Sequence, residues 1–238
     1  MVYNKFINLS QDRKDTISKM IEKQDCGLWS FCRKIRLSGS RVSKVPKRES
    51  TDPKNFLEDH LYGEFRGNEA THHGNMCEPL AREAYMKDHD EVQVCGVVIH
   101  KEEPWLCASP DGLCGLNKII EIKAPFNDNV PEVLSSGKYD VETDDSGNAR
   151  LKVKGKNGYY YQVQVTMECT ERSVCDFLVW DNSSSQVTVC SVPKDSQFLS
   201  VLMGHLRKFY FMHLLPKVVD DLHSGVLQIP RSAAKSFE

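Results

Sequence analysis

Apolar positions recur at helical spacing through the first ninety residues and at strand spacing after them. Ser10 heads "QDRKDTISKMIEK", where Ile17, Met20 and Ile21 fall on one side, which predicts an N-capped helix. In "TDPKNFLEDHLYG", Thr51 or Asp52 can cap a second, short helix, with Pro53 near its first position. "GNMCEPLAREAYMKDH" predicts a third, with Leu80, Ala84 and Tyr85 on one side and Pro79 held to the first turn.

After Asp90 the period changes. "VQVCGVVIH" and "PWLCAS" are apolar or β-branched runs, and "KIIEIKAP" alternates around its charges, so a small β-meander is expected. "KYDVETDDSGNARLKVKGKNG" is polar and turn-rich, and reads as an exposed hairpin or mobile loop. "YYYQVQVTMECT" fits a strand by propensity and a helix by the spacing of Tyr161, Val165 and Glu168. "VCDFLVWD" and "QVTVCSV" predict two further strands joined at "NSSS", followed by a long helix over "SQFLSVLMGHLRKFYFMHLLPKVVDDLHSG" interrupted at Pro216. The expected product is one α/β domain over residues 1–238. It has a helical part over about 1–90, a sheet core over about 91–192 and a terminal helix over about 194–224.

Composition narrows the class. Apolar residues make up 40% and charged residues 27%, the balance of a globular chain rather than a disordered or membrane one. No apolar run approaches the roughly 20 residues of a membrane span, and the N-terminus lacks the apolar core of a signal peptide, so the protein is expected inside a cell, in cytoplasm or nucleus. Nine cysteines are an odd number, and no pair is spaced C-x-x-C. The nearest neighbours are Cys26/Cys32, Cys107/Cys114 and Cys169/Cys175. Buried thiols are therefore expected rather than disulfides or a zinc or iron–sulfur site.

Net charge is −2, but it is unevenly placed. Arg33, Lys34, Arg36, Arg41, Lys44, Lys47, Arg48 and Lys54 are opposed over the same stretch only by Glu49 and Asp52. Such a block is either a footprint for a polyanion or a solvated basic face.

The chemistry concentrates in "CASPDGLCGLNKIIEIKAPF", residues 107–126, read as two strands joined by a turn at "DGLCGLNK". Asp111 then ends one strand. Glu121 and Lys123, two apart on the next, share a face, while Ile120 and Ile122 share the other. A surface salt bridge on a solvated strand would look the same, at about 0–1 kcal/mol.

The spacing Pro110-Asp111, nine residues, then Glu121-x-Lys123 resembles the PD-(D/E)-x-K nuclease signature. Its flanks, Trp29-x3-Arg33-x6-Ser40, Gly74-x3-Glu78, Ser109-Pro110-Asp111-Gly112-Leu113, Glu121-Ile122-Lys123-Ala124-Pro125-Phe126 and Tyr159-x2-Gln162-Val163-Gln164, resemble in order and interval the YqaJ-like viral recombinases, the lambda-exonuclease family. Five ordered motifs carry what none carries alone.

The resemblance implies a restriction-endonuclease-like core, a mixed central sheet flanked by helices, with "YYYQVQVTMECT" helical. It implies Mg²⁺, with Mn²⁺ able to substitute, held by Asp111, Glu121, the Ile122 carbonyl and Glu78, with Lys123 and Gln162 completing the catalytic set. Hard carboxylate oxygens suit such an ion, which lowers the pKa of a bound water and neutralises phosphate charge. Arg33, Ser40 and Ser109 resemble a pocket for a 5′-terminal phosphate, and Arg36, Arg41 and Lys44 would add DNA contacts. The family's second arginine after the Glu-x-Lys strand is replaced here by Asn127, Asp128 and Asn129.

The implied activity is 5′-to-3′ exonuclease action on one strand of duplex DNA, in recombination or repair. The implied partners are DNA ends, a single-strand annealing protein and a homotrimer, with no membrane. A structure-specific endonuclease and a decayed end-binding module are the alternatives. His72 and His73 are read as a polar helix face, and Trp29, Trp105, Trp180 and Phe209-Tyr210-Phe211 as packing.

Overall fold

The computed structural model describes residues 2–21, 27–63, 67–126 and 130–230. A π-helical turn, Tyr3–Ile7, precedes α1 (Gln11–Met20), α2 (Gly27–Lys34), α3 (Lys54–Tyr62) and α4 (Glu69–Met86). α1 follows Ser10 as expected and buries Ile17 and Ile21, but Met20 is exposed. α2 was not anticipated, although Leu28, Phe31, Cys32 and Ile35, all buried, recur at i, i+3, i+4 and i+7. α4 starts earlier than expected because Asn68 caps it, its Oδ1 accepting from the Thr71 N–H at 2.9 Å. Pro79 consequently lies in mid-helix, on the exposed side where water can take the carbonyl its missing N–H leaves. The buried stripe is Cys77, Ala81 and Tyr85, and Leu80 faces out.

Ten strands follow the helices or interleave with them among the described residues. They are β1 (Leu37–Ser38), β2 (Val92–Gln93), β3 (Val98–Ile99), β4 (Leu106–Ala108), β5 (Gly112–Cys114), β6 (Lys118–Lys123), β7 (Val141–Thr143), β8 (Ala149–Leu151), β9 (Val174–Asp181) and β10 (Gln186–Pro193). The main sheet has the order β10-β9-β6-β5-β2, with β6 parallel to β9 and the other pairs antiparallel. β4 belongs to a separate sheet, β1-β4-β3. The expected hairpin over 107–126 is therefore corrected: its turn contains strand β5, and the change of sheet falls at Ser109-Pro110, where proline supplies no ladder N–H.

Between β6 and β9 the chain passes through α5 (Val130–Ser136), the β7–β8 hairpin and α6 (Tyr159–Cys169). Parallel neighbours require such a crossover, which is why "YYYQVQVTMECT" is a helix in spite of its strand propensity. α6 lays Val163 and Met167 on one face of the sheet, against Ile119, Phe177 and Val179. α4 lays Ala81 and Tyr85 on the other, against Ile120, Ile122, Leu178 and Trp180. This is the three-layer α/β arrangement.

A second core joins the N-terminal helices and the small sheet to α7 (Ser196–Phe209) and α8 (Leu215–Ser224), through Ile17, Phe31, Leu37, Trp105, Leu106, Leu206 and Tyr210. A π-helical turn, Tyr210–Leu214, separates those two helices and leaves Pro216 in the first turn of α8, which is the expected interruption. Cys107, Cys169, Cys175 and Cys190 are buried free thiols, and burial pushes the Cys107 thiol up to about 11. Among the described residues no helix is long and apolar enough to cross a membrane.

Candidate functional site

Strand alternation in β6 sends Ile119, Glu121 and Lys123 toward α6, and Ile120 and Ile122 toward α4. Glu121 is 2% exposed. Its Oε1 accepts from Lys123 Nζ at 2.5 Å and from Gln162 Nε2 on α6 at 2.6 Å. Its Oε2 is buried with no hydrogen-bond partner among the described residues. Burial first, then the Asp111 carboxylate, pushes Glu121 up to about 7 against the pull of Lys123. Burial alone would lower the Lys123 ammonium, but Glu121 and Asp111 together outweigh it and hold the lysine charged. The Tyr159 ring lies 4.9 Å from Lys123 Nζ.

Asp111 stands immediately ahead of β5, where the register pairs Gly112 with Ile120. Its Oδ2 accepts from the Ile122 N–H at 2.6 Å, which fixes the carboxylate against the backbone of β6. Ile122 thus orients Asp111 through its N–H. Burial raises the Asp111 pKa, while Lys123 and the Ile122 N–H oppose the shift.

Glu78 reaches the site from α4, half-buried, with its pKa raised by burial and then by Asp111. It is paired with Arg82, one turn on. Arg82 also donates to the Asp111 carbonyl oxygen, from Nε at 3.2 Å and Nη2 at 3.0 Å. The expected site omitted Arg82, although Glu78-x3-Arg82 is an i,i+4 acid–base pair readable on the helix.

Among the described residues no three His, Cys, Asp or Glu side chains gather closely enough to hold a metal ion. Asp111 and Glu121 nevertheless fit a hard divalent cation. Both are oxygen donors, they crowd each other as like charges, and the orphaned Oε2 is a buried acceptor that such an ion would satisfy.

Arg33, Ser40 and Ser109 meet around Trp29. Arg33 Nη2 donates to Ser40 Oγ at 2.7 Å and its guanidinium lies 4.2 Å from the Trp29 ring, while Trp29 Nε1 donates to Ser109 Oγ at 3.2 Å. Trp29 is thus a member of this group as well as a packing residue. Desolvation lowers the pKa of Arg33, with Glu121 and Asp111 among the carboxylates opposing the shift. A cation and two hydroxyls are thereby gathered near the carboxylates.

The basic block divides. Arg36 is fully buried, and its guanidinium donates to Pro104 O, Cys32 O, Phe6 O and Ile7 O. It pins the N-terminal segment to α2 and cannot reach DNA, so its expected DNA contact is corrected. Arg41 is paired with Asp59, and Lys44 is exposed. His72 is exposed, as expected, whereas His73 meets Cys77 Sγ at 3.5 Å and the Phe126 ring at 5.4 Å. Asn127, Asp128 and Asn129 lie outside the described residues.

A five-stranded mixed sheet between helices, with paired carboxylates and a lysine at its central strands, defines a restriction-endonuclease-like α/β protein of the PD-(D/E)-x-K class. Within that class the chain belongs to the YqaJ-like viral recombinase domain family, whose profile matches residues 28–173. The fold is similar to that of an alkaline exonuclease, LHK-Exo, from Laribacter hongkongensis, at TM-score 0.63 and 24% identity over 83% of this chain and 97% of that one. LHK-Exo in complex with dAMP matches at TM-score 0.63 and 23% identity, over 83% and 98%. A phage-related exonuclease from Haemophilus somnus 129PT matches at TM-score 0.51 and 14% identity, over 79% and 96%. An uncharacterized protein of Acanthamoeba polyphaga mimivirus is 32% identical over 126 residues, 48% of this chain; the match spans 20% of that protein.

Proposed function

We propose that the chain is a Mg²⁺-dependent deoxyribonuclease that degrades one strand of duplex DNA from a 5′ end. The observation that carries this is the Glu121 carboxylate, which the Asp111 charge crowds: one oxygen is held by Lys123 and Gln162, and the other is buried and without a partner among the described residues. Family membership and the exonuclease names of the similar structures support the same reading.

On this reading Asp111 and the free Glu121 oxygen hold the ion. When bound, it supplies an acidified water and neutralises charge on the scissile phosphate. Lys123, kept charged by the two carboxylates, places a cation where phosphoryl charge develops and orients the attacking water. Gln162 and Lys123 both occupy Oε1 of Glu121, which would leave Oε2 for the ion. Arg33, with Ser40 and Ser109, receives the terminal phosphate, because a guanidinium binds phosphate in a bidentate manner and hydroxyls add donors. Duplex ends are then the substrate; an annealing protein and a ring-shaped trimer belong to the same proposal.

The test is a labelled linear duplex with phosphorylated or hydroxyl 5′ ends, and a closed circle, incubated with Mg²⁺ or EDTA. Mononucleotide release from the linear duplex alone, only with Mg²⁺, is expected. Cutting of the circle would make the chain an endonuclease, and cutting in EDTA would remove the metal from the mechanism.

A further inference from the structure

The segment between α5 and α6 builds a cleft of about 800 Å³ that opens beside the site, and the residues assigned above do not use it. Lys138, Lys152, Lys154 and Lys156 line it together with Tyr139 and Tyr159. Among the described residues that line it the one acid is Asp140, which is 2% exposed and already accepts from the N–H groups of Asn157 at 3.1 Å and Tyr159 at 3.3 Å. Lys152 lies 3.5 Å from Glu142, while Lys154 and Lys156 are exposed and have no carboxylate partner among the described residues. The cleft therefore presents lysine cations to solvent around a floor whose buried carboxylate is tied to backbone N–H groups.

Its aromatic wall leads to the site. Tyr159 touches Lys123 on one side, at 4.9 Å, and stacks on Tyr139 on the other, at 6.5 Å between centroids and 21° between planes. Tyr139 holds a left-handed backbone, φ 57°, as does Asp140 after it. Two successive non-glycine residues in that region carry a conformational cost that the surroundings must offset. Here the Asp140 carboxylate, accepting from Asn157 and Tyr159, and the Lys152 N–H, which donates to Asp140 O at 2.7 Å, hold the turn that keeps the Tyr139 ring beside Tyr159.

A groove of exposed lysines beside stacked aromatic rings has the chemistry that binds single-stranded nucleic acid: cations follow the phosphates and rings take bases. We infer that this cleft binds an unpaired DNA strand running to Lys123, with Lys154 and Lys156 on its phosphates and Tyr139 offering a face to a base. The identity of the polyanion as DNA rests on the nuclease reading. The cleft gives that reading a second subsite, on the side of Lys123 where Tyr159 lies.

Binding in EDTA isolates this from cleavage. The full chain is titrated into a fluorescent eight-nucleotide single strand at several salt concentrations, with dAMP as competitor. Lys154→Gln/Lys156→Gln alters two exposed positions, and circular dichroism verifies its fold. It should weaken binding roughly tenfold and reduce the salt slope by about 1.4, or about 0.7 per lost phosphate contact. Tyr139→Gly removes the ring and suits the left-handed backbone; it should weaken binding and leave the slope unchanged. An unaltered affinity and slope in the double variant, or no binding of the strand by wild type, overturns the inference. Competition by dAMP as effective as by the unlabelled strand overturns it in favour of a nucleotide pocket. Failure of wild type to cleave in Mg²⁺ strikes the nuclease reading instead, since strand binding is read without chemistry.

Discussion

Arg82 donates from two nitrogens to the main-chain carbonyl oxygen of Asp111, at 3.2 and 3.0 Å, so helix α4 holds the backbone of the residue whose carboxylate is proposed to hold the ion. Charge-assisted hydrogen bonds of this kind are worth about 1.5–3 kcal/mol. Arg82→Lys keeps the charge but loses the planar fork that reaches carbonyl and Glu78 together. Its cleavage rate should fall about ten- to a hundredfold at unchanged DNA affinity. Measuring kcat and KM separately checks this, and a change confined to KM would place Arg82 in binding.

Glu121 is crowded by Asp111 and buried, and both effects disfavour its charge. Glu121→Gln keeps the shape and the acceptor for Lys123 and Gln162 while removing that charge, so cleavage should be abolished. The metal-free protein should then be more stable by about 1 kcal/mol at pH 8, the signature of a site that trades stability for function. Urea unfolding in EDTA reads it. A variant that is markedly less stable would mean that Glu121 serves the fold through its ion pair with Lys123.

Arg33, joined to Ser40 and Trp29, is the cation of the proposed 5′-phosphate pocket. Phosphorylated ends should be cut roughly tenfold or more faster than hydroxyl ends, the low end of a charge-assisted contact. Arg33→Ala should abolish the preference and leave slow, phosphate-blind cleavage. Initial rates on the two kinds of end decide it; equal wild-type rates would remove the pocket.

His60 is buried between α3 and the chain at Lys34 and Arg36, and its Nε2 lies 3.0 Å and 2.9 Å from their carbonyl oxygens. Two acceptors require the proton on Nε2. Burial first, and the Arg41 charge second, lower its pKa from 6.5 to about 4. Below pH 6.5 the unfolded chain takes up a proton that the folded one refuses until about pH 4, so stability is lost across that window as the solution is acidified. The loss is about 3 kcal/mol. His60→Gln should unfold with a weaker dependence on pH between 7 and 4.5, and an identical dependence in both proteins would assign the acid loss to other groups.

The strand carrying Glu121 and Lys123 was legible because alternation and side-chain chemistry coincide there: a charged face opposite Ile120 and Ile122 has no other simple backbone solution. α6 was not legible from its own residues, since what makes it a helix is the crossover between parallel strands, a property of the sheet. Arg36 misled for a related reason. Sequence shows a cation in a basic block, whereas its destination is set by four carbonyl oxygens from distant segments. α2 was readable in the spacing of Leu28, Phe31, Cys32 and Ile35, which the polar residues between and after them interrupt. The division of Asp111 from β4 turned on one proline.

The family match ends at residue 173, one position before β9 begins. A fragment cut there would keep the carboxylates, Lys123 and Gln162, yet β6 would lose its parallel neighbour along its whole length, from Lys118 opposite Val174 to Lys123 opposite Val179. The strand carrying Glu121 and Lys123 would become an open edge, apolar on one face and lined with unsatisfied N–H and C=O groups, which is a template for pairing with another copy. Such a piece would contain every residue proposed for chemistry and be prone to aggregate, so the folding unit extends past the matched segment by at least the strand that shields β6.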